Sequence, residues 1–307
     1  MPDLRGRFIN LRESTDRRKE IEDQLDELNV SQYYERFEAI RGEKYEAERR
    51  GLNSGELGLW KSWLKILEEE ENLCQQDYVY LHIIEDDCIL NEKLYSLLQN
   101  NRGINRKFDA IATDMYVNPS VYEVLKERCI LNRSNSVTQI VRLYTGCTSS
   151  VLIHSSKIKK VYSTLAEVFA NTKILLPIDN YFRKSDKDDR LCIGVTLPFL
   201  SSIRQERIVE STIQGTGKEN SGITLTQELC SILRKELSIS PNEANDIKKL
   251  IEVYAELVRH KEGEGIGRTN NDITIEAILK GAEQKKILEY KYRKGLKGEA
   301  NNPQNKK

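Results

Sequence analysis

The chain has 307 residues with 48 Lys+Arg against 48 Asp+Glu, so no overall field draws it onto a polyanion and nucleic acid is excluded as a first reading. Hydrophobic residues at 38% and charged residues at 31% argue against disorder throughout and for one full core with long solvated helices. The six cysteines stand singly, and neither the opening MPDLRGRFINL nor any later run is apolar enough for a signal or a membrane span; reduced thiols and a cytoplasmic location are expected.

Arg7 to Leu11 reads as a short buried strand, and Ser14 begins a helix with Ile21, Leu25 and Leu28 on one face, the opening of an α/β domain. A second helix with Ser54 as N-cap carries Leu57, Trp60, Leu64 and Leu67 on one stripe and ends in the acidic run Glu68 to Glu71. Tyr78 to Ile84 is a continuous β-prone run of the kind a central parallel strand would show. Phe108 to Ala112, Thr148 to Ile153 and Leu191 to Val195 read as further strands, with a helix from Ser156 to Phe169. This alternation predicts a doubly wound sheet over roughly residues 1–205.

At 206–222 the apolar pattern lapses around Gly215 and Gly217, which marks a linker or exposed loop. A helical appendage is expected over 223–295. Leu225 to Leu237 opens it, Ser240-Pro241-Asn242-Glu243 starts a helix bearing Ile247, Leu250, Ile251, Tyr254 and Leu257, and another spans Ile273 to Tyr292. These apolar stripes must pack on the core or on a second copy, so a homodimer is one partner expectation. The Lys/Asn-rich stretch 296–307 reads as a disordered tail.

Three carboxylates, Glu85, Asp86 and Asp87, end the strand Tyr78 to Ile84. Carboxylates at the carboxyl end of a buried strand stand where open α/β sheets bind ligands, and their hard oxygens suit Mg²⁺ or Mn²⁺ bridging a diphosphate. An acidic triplet at such a place is also compatible with a plain surface turn.

A wider ordered set of residues resembles glycosyltransferase family 25, the group of lipopolysaccharide glycosyltransferases and collagen galactosyltransferases. Its parts are Phe8 to Leu11 with Ser14, Asp16, Arg17 and Arg18; Phe37 to Gly42, similar to an Ala-x-x-Gly segment; Gly55-Glu56-Leu57-Gly58 with Ser62; Ile84 to Asp87; Tyr144-Thr145-Gly146 through Ile153; and Pro177-Ile178-Asp179. Together they cover about residues 7–205. Leu59 and Trp63 depart from the family helix, which usually has cysteine and histidine there; this bears on substrate preference more than on a metal.

The resemblance implies a GT-A-type mixed sheet flanked by helices and metal-dependent transfer of galactose or glucose from a UDP-sugar to a glycan or glycosylated acceptor, with inversion. Asn10, Leu11, Arg17, Gly55, Ser62, Glu85 and Asp86 are then donor-binding candidates, and Asp87, Asp86 and His154 metal candidates. Inversion needs a base at the acceptor hydroxyl, for which Asp179 comes first and Asp114, ending the strand from Phe108, second. Other readings stay open residue by residue: a packing strip for Gly55, Gly58 and Ser62, solvated first-turn charges for Arg17 and Arg18, a hydrogen-bonded structural histidine for His154, a turn cap for Asp179. Two rival functions are a catalytically silent GT-A-like binding module and a metal-dependent nucleotidyl or phosphoryl transferase.

Overall fold

The computed structural model describes residues 4–73, 78–100, 107–117, 119–134 and 138–204, together with 232–234, 237, 238, 255 and 259. The expected linker, the stripe from Ile247 to Leu257, the helix from Ile273 to Tyr292, the tail, and with them the homodimer through these helices, lie outside the described residues.

In chain order the elements are β1 (Leu4–Asn10), α1 (Thr15–Glu27), β2 (Tyr34–Glu38), α2 (Lys44–Arg49), α3 (Ser54–Asn72), β3 (Tyr80–Glu85), β4 (Cys88–Leu90) and α4 (Glu92–Asn100). They continue with β5 (Ala110–Ala112), α5 (Pro119–Ser134), β6 (Gln139–Val141), β7 (Ser150–His154), α6 (Ile158–Asn171), α7 (Ile178–Lys187), β8 (Ile193–Leu197) and β9 (Ser201–Ile203). Among the described residues a seven-stranded sheet has the order β2-β1-β3-β7-β5-β8-β6, and β4 pairs with β9 in a small second sheet. The fold is of the expected α/β class, a mixed sheet flanked by helices.

The sheet departs from a purely parallel one at its centre. β3 is parallel to β1 but antiparallel to β7. The cause is connectivity: Glu85 N–H bonds to Ser149 O at 2.8 Å, so the chain enters β7 at the edge where β3 ends and must run back along it. Period-two side chains then divide β3 between two cores. Leu81 and Ile83 join Trp60, Trp63, Leu165 and Phe182 on the face covered by α3, α6 and α7, whereas Tyr80 and Ile84 join Ile21, Leu25 and Leu94 on the face covered by α1 and α4.

α3 begins one residue earlier in its capping than the sequence suggested. Asn53, not Ser54, is the N-cap: its Oδ1 accepts from Glu56 N and Glu56 Oε2 accepts from Asn53 N, both at 2.9 Å. The three-residue spacing that a capping box needs joins Asn53 to Glu56 and leaves Ser54 inside the helix. Trp60 and Trp63 are both fully buried; Trp60 Nε1 donates to Leu176 O at 2.8 Å and Trp63 meets Phe182 edge-on.

Leu225 to Leu237 is expected in the appendage, yet its described residues belong to the core. Ile232, Leu233 and Leu237 are buried in the same cluster as α3 and α7. Phe199 N donates to Leu237 O at 3.0 Å, and Phe199 bridges to Ser238 in parallel register.

Candidate active site

Three strands deliver polar residues to one edge of the sheet. β1 ends at Asn10, β3 at Glu85 with Asp86 and Asp87 following, and β5 at Ala112 with Thr113 and Asp114 following; β7, running the other way, starts there from Ser149. A cleft of about 420 Å³ opens at this edge between the turn after β1, the segment 39–44 and the start of α3. Leu11, Arg17, Gly55, Glu85, Asp86 and Asp87 line it, and Ser62 forms part of its wall.

The acidic cluster is tied down from several sides. Asn10 Nδ2 donates to Asp86 Oδ2 at 2.7 Å and to Ser14 O at 3.0 Å, while its Oδ1 accepts from Arg36 Nε at 3.0 Å. Asn10 is therefore used up in orienting Asp86 and does not line the cleft. Arg17 Nη2 reaches Asp86 Oδ1 at 3.0 Å and Asp87 Oδ2 at 3.1 Å, so it balances two carboxylates rather than standing as a solvated first-turn charge. Arg18 pairs with Glu22 along α1. Burial, reinforced by Asp87 alongside, pushes the Glu85 carboxyl up to about 8; burial also lifts Asp86 to about 6 against the pull of Arg17, and raises Asp87.

Asp87 Oδ1 is buried with no hydrogen-bond partner among the described residues. A buried carboxylate oxygen left so costs free energy unless something fills the place. Among the described residues no group of three or more His, Cys, Asp and Glu is disposed to hold a metal ion, so an all-protein cage is absent there. The donor set fits the other mode, in which Mg²⁺ or Mn²⁺ takes one or two carboxylates and completes its shell with phosphate oxygens and water. Asp87, with Asp86 beside it, could hold an ion in that way.

His154 does not belong to this set. It pairs in register with Tyr80 at the amino end of β3, a strand length of about 17 Å from the acidic cluster at 3.3 Å per residue. Its Nδ1 accepts from Ser156 N at 3.2 Å, and its ring packs edge-on against Tyr80, which is the structural reading. The antiparallel direction of β7 is the reason, because it carries Ser149 and Ser150 toward the carboxylates and His154 away from them.

The two base candidates differ in their surroundings. Asp114 is fully buried, with Oδ1 accepting from Ser149 Oγ at 2.9 Å and Oδ2 from Arg234, so neither oxygen is open to an incoming hydroxyl. Asp179 stands in the first turn of α7 and is half-buried. Burial raises its carboxyl above the ordinary value, while N–H groups of Asn180, at 2.7 Å, and Cys147 favour the ionised form. It lies outside the cleft lining, near the start of α3, where burial and, after it, the Asp179 charge raise the Glu56 carboxyl.

The structure gives several motif residues a packing role and adds Arg234, which the sequence reading passed over. Gly42 and Gly58 let the segment after β2 lie directly on α3, and Ser62 Oγ ties the two by accepting from Ile40 N at 2.9 Å and donating to Gly58 O at 2.8 Å. Ser62 is thus a wall strut with both bonding capacities engaged. Arg234 carries no local signal in the sequence: only the tertiary fold brings it to Asp114.

The cleft and its carboxylates fall within residues 7–181, which match the model of glycosyltransferase family 25, described as an LPS biosynthesis protein. No curated protein matches the chain. With a match over more than half of its length, spanning every strand that delivers a carboxylate to the cleft, the chain belongs to glycosyltransferase family 25.

Proposed function

We propose that this glycosyltransferase moves a hexose, galactose or glucose, from a UDP-sugar to a hydroxyl of a glycan or glycosylated acceptor, with inversion and with a divalent cation, in keeping with the family's description in LPS biosynthesis. The observation that carries the reading is the buried Asp87 Oδ1, without a hydrogen-bond partner among the described residues, in the lining of a cleft on the carboxyl edge of the sheet. Asp87 and Asp86 would hold the ion. Mg²⁺ or Mn²⁺ bound there would supply Lewis-acid stabilisation of the departing diphosphate.

The chain's own residues account for the rest of the reaction. Asn10 and Arg17 hold Asp86 in one orientation, and the glycine-lined contact between segment 39–44 and α3 gives the nucleoside a narrow wall. Asp179 takes the proton of the acceptor hydroxyl as its oxygen bonds to the anomeric carbon and the bond from that carbon to the diphosphate oxygen breaks, releasing UDP. A half-buried carboxylate raised by burial is a stronger base than an exposed one and suits that step.

The test is turnover of a panel of UDP-sugars with Mn²⁺ and with excess EDTA, for the parent and for Asp87→Ala. Turnover that yields UDP, needs the cation and nearly vanishes in Asp87→Ala is expected. Full activity in EDTA removes the cation from the mechanism; release of pyrophosphate instead of UDP moves the chain to nucleotidyl transfer, and binding without turnover to a silent module.

A further inference from the structure

Among the described residues beyond those that match the family, a buried side chain enters the site. Arg234 is 7% exposed, and its Nη2 donates both to Asp114 Oδ2 and to Cys147 Sγ, the latter at 3.2 Å. Hydrophobic neighbours in sequence anchor it: Ile232 and Leu233 are buried, and Leu237, also buried, accepts through its carbonyl from Phe199 N and Cys129 Sγ. Asp114, completely buried and held on its other oxygen by Ser149, offers the guanidinium a fixed counter-charge.

What Arg234 grips is a strained turn. Gly146 has φ +136° and Cys147 φ +91°, and the second value is one that a residue with a Cβ adopts only when its surroundings impose it. Cys147 is imposed upon through its carbonyl and its sulfur. Its carbonyl accepts from Tyr144 Oη at 2.7 Å, and its Sγ donates to Ser149 Oγ at 3.2 Å and accepts from Arg234. Gly146 adds the close approach: a Cβ built there would lie 3.5 Å from Asp179 Oδ2.

We infer that Arg234 is a positioning residue of the transfer reaction, clamping the Gly146–Cys147 turn and, through the contact of that turn with Asp179, aiming the carboxylate at the acceptor. The inference rests on the transferase reading above and on Asp179 as its base. It also makes the chain beyond residue 181 part of the catalytic unit, since the clamp comes from there.

Arg234→Met in the full chain tests it by two independent measurements. Amide hydrogen exchange over 144–149 should quicken at least tenfold while peptides from β1 and β3 keep their protection. UDP affinity by calorimetry should stay within twofold, and kcat for transfer, per UDP-binding site, should fall at least tenfold. Should this variant fail to fold because Asp114 is left as a lone buried charge, Arg234→Met with Asp114→Asn removes both charges and takes the same measurements. In a Cys147→Gly background, where the turn needs no imposed φ, adding Arg234→Met should change kcat less than twofold; independent, multiplicative losses would overturn the route through Cys147. Unchanged exchange at 144–149, exchange that rises equally across the core, or kcat per site within twofold of the parent overturns the inference. If the parent itself transfers no sugar, the proposed function falls and the positioning role with it, whereas the exchange data still decide whether Arg234 clamps the turn.

Discussion

Gly58→Ala sets two physical effects of opposite sign against each other at the wall of the cleft. In a helix interior alanine is favoured over glycine by about 1 kcal/mol, so propensity alone makes the variant more stable. Packing opposes this. A Cβ at Gly58 would lie 2.4 Å from Ile40 O and 3.0 Å from Gly42 N, and both atoms are backbone that cannot swing aside. A relaxed carbon-to-oxygen contact is about 3.3 Å, so α3 and the segment after β2 must separate by roughly 0.9 Å. Overpacking of this kind costs about 1–3 kcal/mol, and the separation also strains the Ser62 bonds to Ile40 and Gly58. The net expectation is a loss of up to about 2 kcal/mol, because the steric cost exceeds the gain in propensity. Urea unfolding should read it as a lower midpoint at unchanged slope. Calorimetry should show weaker UDP binding, since Gly42, Gly58 and Leu59 line the cleft. A variant at least as stable as the parent, with unaltered UDP affinity, would refute the close approach of α3 to segment 40–42.

Asp179→Asn keeps the size of the side chain but removes its basicity, so transfer should fall by about two or more orders of magnitude while UDP affinity holds, as kcat and calorimetry would report. Normal transfer by this variant would send the search for the base elsewhere. Without divalent ions, stability should decline as pH rises from about 5 to about 8: Glu85 and Asp86 hold their protons more tightly folded than unfolded, so the native state is favoured below their unfolded values and loses that advantage through the folded ones, near 6 and 8. Thermal melts across this range check it, and a midpoint that rises with pH contradicts it; Mn²⁺ should offset the loss at the upper end. Leu237→Ala should cost about 2–5 kcal/mol in urea unfolding if the segment is core as described, and a loss below about 0.5 kcal/mol would detach it.

Much of the α/β frame is legible because its signals are local. Tyr80 to Ile84 is an unbroken apolar run apart from His82, and the triplet after it falls at the carboxyl end by sequence order alone, so a ligand edge with Glu85, Asp86 and Asp87 follows from one strand and a general rule. Leu11, Arg17, Gly55 and Ser62 reach the same cleft because they sit in the turn after β1, on the first turn of α1 and on the first three turns of α3, whose places follow from the strand-helix alternation. Strand direction is not local. Thr148 to Ile153 reads the same whether it runs with β3 or against it, and the antiparallel outcome carries Ser149 toward the carboxylates and His154 to the far end of the sheet. Capping was missed by one residue for a similar reason, as Asn53 and Ser54 are both good caps and the reciprocal bond to Glu56 selects between them.

By itself, then, the amino-acid order determines the alternating elements, the acidic strand end and the set of motifs that marks the family, since each depends on residues a few positions apart. Tertiary structure alone decided that Asp114 is closed off, that the Gly146–Cys147 turn lies against Asp179, and that Arg234 arrives from far along the chain to hold that turn. Pairings across 120 residues of sequence, such as Asp114 with Arg234, leave no periodicity to read. They exist because a folded core brings two opposite buried charges together, and a buried charge left without its partner is costly.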